Sequence, residues 1–186
     1  MKLYGSVTSP FVRHCRIALI QGNLEWEMLE ADLAASGERS PTKKVPFLED
    51  GDVLLTDSCS IVKYAREKAG GTFFDDVMDY ELFCMANTTI DAAINLFLLT
   101  NDGVDVAASK YLGRQADRVE SALDELDKRT GGSDLQLTDG VIRVACLLEW
   151  GLFRHRFNID NRPNLQSVLA LANQDEAFRS TAIPQS

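Results

Sequence analysis

Residues 45–58 read Val45-Pro46-Phe47-Leu48-Glu49-Asp50-Gly51-Asp52-Val53-Leu54-Leu55-Thr56-Asp57-Ser58. Two short apolar runs, Pro46-Phe47-Leu48-Glu49 and Val53-Leu54-Leu55, flank the turn-favouring pair Asp50-Gly51, which is the pattern of a β-hairpin. Thr56-Asp57-Ser58 then supplies helix caps. Ile61, Val62, Tyr64, Ala65 and Lys68 follow at helical spacing until Gly70-Gly71 stops the run. The stretch therefore predicts strand, turn, strand and helix.

Upstream of it, Lys2-Leu3-Tyr4 reads as a strand. Ser9-Pro10 opens a helix: serine is a preferred N-cap, and proline suits the first helical position because its missing N–H would be an orphan there. The helix runs from Pro10 to Gln21 and ends at Gly22. Glu25 to Leu29 alternates Trp26 and Met28 with charges and reads as a second strand. A polar stretch from Ala34 to Lys44, with Gly37 and Pro41, leads into the hairpin. The order is β-α-β, an irregular segment, then β-β-α.

Beyond Thr72 no further strand is evident. Asp75-Asp76 opens a helix through Leu99, and Asn101-Asp102-Gly103 breaks it. A second long helix runs from about Asp105 to Arg129, with Leu112, Val119, Leu123 and Leu126 on one stripe. Val141, Val144, Ala145, Leu148 and Leu152 form a third stripe, and Pro163-Asn164-Leu165 opens a fourth. Gly70-Gly71-Thr72 is the candidate linker between a mixed α/β domain, residues 1–71, and an all-α domain, residues 75–186.

At 186 residues with 45% hydrophobic residues the chain has material for one domain or two small ones. A net charge of −9 argues against nucleic acid and anionic membrane as partners. The charge is uneven. Up to Lys44 the cations Lys2, Arg13, Arg16, Arg39, Lys43 and Lys44 roughly match the acids, whereas Asp75 to Asp139 is strongly acidic. The basic region fits a small anionic ligand, with a solvated charged face as the competing reading. No uninterrupted apolar run long enough to span a bilayer and no signal peptide are evident, so a soluble cytoplasmic protein is expected. Cys15, Cys59, Cys84 and Cys146 form no C-x-x-C pair and read as reduced thiols, with no metal site.

The element order resembles that of the cytosolic glutathione transferases, in which a thioredoxin-like domain precedes an all-helical one. Three motifs carry the resemblance. Tyr4-Gly5 with Ser9-Pro10-Phe11-Val12-Arg13 is similar to the opening of many bacterial members with a serine-type active site. Lys44-Val45-Pro46 is the second motif, and Asp57-Ser58 followed by Ile61 and Tyr64 is the third. Arg162-Pro163-Asn164-Leu165 with Phe178 is similar to the closing helices of the family.

The resemblance implies that Val45-Pro46 is a cis bond, with Pro46 structural, and that glutathione is contacted by Ser9, Phe11, Lys44, Val45, Asp57 and Ser58. The Val45 backbone would pair like a strand with the cysteinyl part. Ser58 would receive the γ-glutamyl carboxylate at a helix start, where orphan N–H groups and the helix dipole favour an anion. Asp57 would pair with the ammonium group. The family more usually carries Glu there, so Asp57 has a shorter reach, and a plain N-cap is the alternative for Asp57-Ser58.

Ser9 is the implied catalytic residue, donating to the glutathione sulfur and favouring its thiolate; a plain helix cap is the alternative. Cys15 lies more than one turn into the helix, away from the dipole end, and reads as a buried structural thiol. Arg13 and Arg16 are candidates for ligand potential or a subunit contact. Asp139 reads as the acid of a capping box under the main core helix, although Gln136 stands three positions before it and Thr138 would cap in another register.

The implied function is a glutathione transferase that conjugates glutathione, a cosubstrate with no permanently bound cofactor, to a small hydrophobic electrophile held by the helical domain. A detoxifying cytoplasmic homodimer is implied. The alternatives are a catalytically silent interaction module of the same fold and a glutathione-dependent disulfide reductase.

Overall fold

A computed structural model describes residues 1–31, 36, 37 and 39–184. The polar stretch from Ala34 to Lys44 thus lies partly outside the described residues. The chain divides into two compact units, Met1–Asp75 with Gln174–Ser186, and Asp76–Asn173. The grouping of the closing residues with the first unit had no signal in composition or periodicity.

In the first unit β1 (Lys2–Gly5), α1 (Pro10–Gln21), β2 (Glu27–Glu30), β3 (Phe47–Asp50), β4 (Val53–Leu55) and α2 (Ser58–Lys68) follow in order. The strands form one mixed sheet ordered β2-β1-β3-β4. The α1 crossover makes β1 parallel to β2, whereas β1–β3 and β3–β4 are antiparallel. This is the thioredoxin-like arrangement, here followed by a helical C-terminal domain.

Because side chains alternate across a strand, neighbouring residues serve different faces. Leu3 and Leu48 join Val12, Cys15, Leu19, Ile61 and Ala65 in the core beneath α1 and α2. Tyr4 and Phe47 join Ala31 in a separate cluster. Their rings stack with centroids 4.4 Å apart.

The short helix α7 (Glu176–Ser180) packs on α1. Arg13 is 1% exposed. Its Nη2 donates to the Phe178 carbonyl at 3.0 Å, its Nε to Thr181 Oγ1 at 3.4 Å, and its guanidinium stands 3.9 Å from the centre of the Phe178 ring. Arg16 Nη1 donates to the Thr181 carbonyl at 3.3 Å. Arg13, a candidate for ligand potential or a subunit contact, is instead buried against the closing segment, and Arg16 bonds the same segment. The reason is steric and electrostatic: helix α7 offers carbonyl acceptors and an aromatic face that satisfy a guanidinium withdrawn from water.

The second unit comprises α3 (Val77–Asn101), a 3₁₀ turn at Val106–Ala108, α4 (Lys110–Arg129), α5 (Asp139–Phe153) and α6 (Pro163–Ala172). Helix α5 is the centre of this core: Val141, Ile142, Val144, Ala145, Cys146, Leu147 and Leu148 are all buried. Helix α3 is long and apolar enough to cross a membrane by length and composition, with a mean hydropathy of 1.5 over its most apolar window. That differs from the sequence expectation, which looked for an uninterrupted apolar run. Leu82, Phe83, Ala86, Ile90 and Ala93 are buried, and the helix packs on α4 and α5 as a core helix.

The start of α5 departs from expectation in its acid. Thr138 is the N-cap, its Oγ1 accepting from the Val141 N–H at 3.3 Å, so the other register is the one used. The carboxylate that completes the cap is Asp79 of α3 and not Asp139. Thr138 Oγ1 donates to Asp79 Oδ1, and the Gly140 N–H donates to Oδ2 at 3.4 Å. Gly140 makes room for it, since a Cβ there would lie 2.5 Å from the Asp79 carbonyl oxygen. Burial raises the Asp79 pKa above its ordinary value, outweighing the bonds from Thr138 and Gly140 that lower it.

Two outcomes are expected. Arg13→Met should destabilise the chain by about 2–3 kcal/mol, the worth of charged hydrogen bonds lost with their acceptors left buried, and should raise hydrogen exchange across residues 176–181. For Asp79 the native state holds the proton more tightly than the unfolded chain. Its contribution is therefore full below the unfolded pKa and is lost as pH rises through the raised native value. Urea unfolding of the native chain and Asp79→Asn should give a stability difference that moves against the native chain as pH rises from about 4 towards neutrality; a difference independent of pH would mean that Asp79 titrates alike in both states.

Candidate functional site

The strand register brings several chain connections to one end of the sheet. Tyr4 pairs with Phe47 and Leu48 with Leu55, so the C-terminal ends of β1 and β4 lie beside the N-terminal end of β3. Three connections leave or enter there: residues 6–9 into α1, Val45-Pro46 into β3, and Thr56-Asp57 into α2. Helices α1 and α2 both begin at this end and pack on each other. Inside the pair, the Cys15 thiol donates to the Ser58 carbonyl at 3.7 Å, and Cys15 is fully buried.

Ser9 is the N-cap of α1, with Pro10 at the first helical position. Its backbone is extended, φ −73° and ψ 129°, and its Oγ accepts from the Val12 N–H at 3.4 Å. The Ser9 N–H donates to the Ser6 carbonyl at 3.0 Å, and its own carbonyl accepts the Arg13 N–H at 3.0 Å. The cap thus uses the hydroxyl oxygen as an acceptor and leaves its hydrogen to donate. An oxygen that accepts from a helix N–H is polarised towards being a better donor. Phe11, at the second helical position, is half-buried.

Asp57 is the N-cap of α2. Its Oδ1 accepts from the Cys59 N–H at 2.8 Å, and the residue is exposed. Ser58 beside it is 6% exposed. The Val45–Pro46 peptide is cis; Val45 is half-buried, and Lys44 before it is exposed. The Ser9, Val45 and Asp57-Ser58 positions are thus brought to one end of the sheet, with Phe11 and Lys44 as chain neighbours.

The electrostatics at this end of the sheet are mixed. Two helix N-termini, each carrying partial positive charge and N–H groups, favour an anion, and Lys44 adds a full cation. Asp57 is the single carboxylate among the six expected ligand residues. Among the described residues there is no cluster of His, Cys, Asp or Glu able to hold a metal, and none of the four cysteines is in a disulfide.

The sequence reading includes Gly5 in a motif without its steric role, and does not single out Ser6. A Cβ on Gly5 would fall 2.4 Å from Val12 Cγ2, so β1 runs directly onto the first turn of α1. Ser6 then turns the chain towards Ser9. A glycine at a strand end before a helix cap is the signal that could have pointed to this close approach.

Residues 3–73 match the family described as glutathione S-transferase, N-terminal domain. Glutathione S-transferase 1 of Zea mays is 36% identical over 75 residues, which cover 37% of this chain and 35% of that protein. The matched stretch spans about a third of the length of this and the next plant relatives. Glutathione S-transferase Z1 of Arabidopsis thaliana is 23% identical over the whole chain and 92% of its own length. A crystal structure of a glutathione S-transferase from Methylobacillus flagellatus with GSH bound superposes with a TM-score of 0.87 at 22% identity, over 98% of this chain and 99% of that one. That likeness is one of fold.

The capping role of Asp57 can be read by substitution. Asp57→Ala should cost about 1 kcal/mol by removing the α2 cap, whereas Asp57→Asn should keep stability near native because asparagine caps as well as aspartate. Chemical denaturation of the two variants checks this.

Proposed function

We propose that this chain, whose residues 3–73 match the glutathione S-transferase N-terminal domain, is a serine-type glutathione transferase that conjugates glutathione to a small hydrophobic electrophile. The observation that carries the reading is the convergence of the Ser9 cap, the Val45 backbone and the Asp57-Ser58 cap at one end of the sheet.

Each part of glutathione has a matching group. The γ-glutamyl carboxylate is received at the α2 start by Ser58, and its ammonium pairs with Asp57, whose Oδ1 stays on the Cys59 N–H. The Val45 backbone hydrogen-bonds the cysteinyl part, and Lys44 adds cationic charge beside it. Phe11 borders the sulfur and the second substrate.

The thiol is the reacting group. Lowering its pKa by two units requires about 2.7 kcal/mol of preferential thiolate stabilisation. A hydroxyl hydrogen bond to a charged sulfur supplies about 1.5–3 kcal/mol, and the α1 terminus up to about 1 kcal/mol. The Ser9 hydroxyl donates and does not attack. The thiol proton passes to solvent, the sulfur lone pair forms a bond to the electrophilic carbon, and the displaced group leaves with its electron pair. We assign electrophile recognition to the helical domain, and a cytoplasmic, detoxifying homodimer is the working context.

Ser9→Ala tests the mechanism. The pKa of the bound thiol, followed by thiolate absorbance, should rise towards that of free glutathione, and kcat/KM should fall about 10–100-fold, while calorimetry still detects glutathione binding. An unchanged thiol pKa would rule out Ser9 as the activator.

A further inference from the structure

We infer that Ser6 is a positioning residue whose hydroxyl holds the loop that aims Ser9 at the sulfur; the inference rests on the reading of Ser9 given above. The connection between β1 and α1 has only four residues, Ser6 to Ser9, and three hydrogen bonds within it converge on Ser6. Its carbonyl accepts the Ser9 N–H at 3.0 Å. Its Oγ accepts the Thr8 N–H at 3.4 Å and pairs with Thr8 Oγ1 at 3.2 Å. The pair is part-buried, so water competes with it less than at an exposed turn.

The start of this loop is itself anchored. Gly5 lies against Val12 so closely that a Cβ would stand 2.4 Å from Val12 Cγ2, which fixes where the chain leaves the sheet. The other end is held more loosely, because the bond from the Val12 N–H to Ser9 Oγ is long at 3.4 Å. A cap of that length leaves the hydroxyl direction to the backbone that carries it. Hydrogen-bond strength falls steeply with misalignment, so the loop conformation governs how well Ser9 donates to a sulfur. Removing the Ser6 hydroxyl would leave the Ser9 N–H bond to the Ser6 carbonyl, and so the helix start, in place. What it removes is the tie to Thr8, the residue immediately before Ser9.

A positioning role therefore predicts an effect on the thiolate and on turnover, with glutathione affinity, set at Val45, Asp57 and Ser58, left alone. The test is Ser6→Ala assayed with glutathione and 1-chloro-2,4-dinitrobenzene. The bound thiol pKa should move part of the way towards that of Ser9→Ala, kcat should fall about 3–10-fold, and KM for glutathione should stay within about twofold. Ser6→Thr, which restores a hydroxyl, should recover kcat and thiol pKa, and Thr8→Val, which cuts the same pair from the other side, should repeat the partial loss. A native thiol pKa and kcat in Ser6→Ala, or an equal loss in Ser6→Thr, overturns the inference. If Ser9→Ala shifts the thiol pKa while Ser6→Ala does not, this inference fails and the proposed function stands. If Ser9→Ala has no effect, the proposed function fails first.

Discussion

Leu3 opposite Leu48 and Tyr4 opposite Phe47, the antiparallel register of β1 on β3, is the alignment on which the rest of the first unit depends. It sends Leu3 and Leu48 to the core beneath α1 and α2, and Tyr4 and Phe47 to the separate cluster. A slip of one residue would exchange those two sets and expose one of them. The same register brings the outgoing end of β1 beside the incoming end of β3. The position of Ser9 relative to Val45 is thereby a consequence of core packing.

Around that end, polar chemistry is borrowed from backbone structure. Two helices begin there, and each start is capped by its own side chain, Ser9 on α1 and Asp57 on α2. The two caps differ in backbone angle and in the N–H they hold, Val12 for Ser9 and Cys59 for Asp57. Ser9 accepts with its oxygen and keeps a hydrogen to give, whereas Asp57 brings a negative charge to a place that otherwise favours anions. The cap bond of Asp57 at 2.8 Å, against 3.4 Å for Ser9, also means that the carboxylate is the more firmly held of the two.

Much of this was legible in local sequence. The Asp50-Gly51 turn between apolar runs, Ser9-Pro10 at a helix start and Gly70-Gly71 after a helical stripe each specify a backbone conformation through nearest-neighbour sterics and hydrogen bonding. The helical second unit was legible from its apolar spacing. Two expectations turned on partners distant in the chain. Asp139 stood in the right segment for a capping acid, but Asp79, about sixty residues earlier, fills the place because α3 packs on α5 there. Arg13 and Arg16 carried charge that suggested a ligand, but α7 presents carbonyls to them across more than 160 residues.

The amino-acid sequence by itself determined the elements, their order and the two capped helix starts, because propensity, capping and turn chemistry act over a few residues. Only the tertiary structure decided which of those elements share an end of the sheet and which acid completes the cap of α5. Those outcomes depend on strand register and on packing between residues far apart in the chain, where steric fit and the need to pair every buried polar group select among many locally acceptable arrangements.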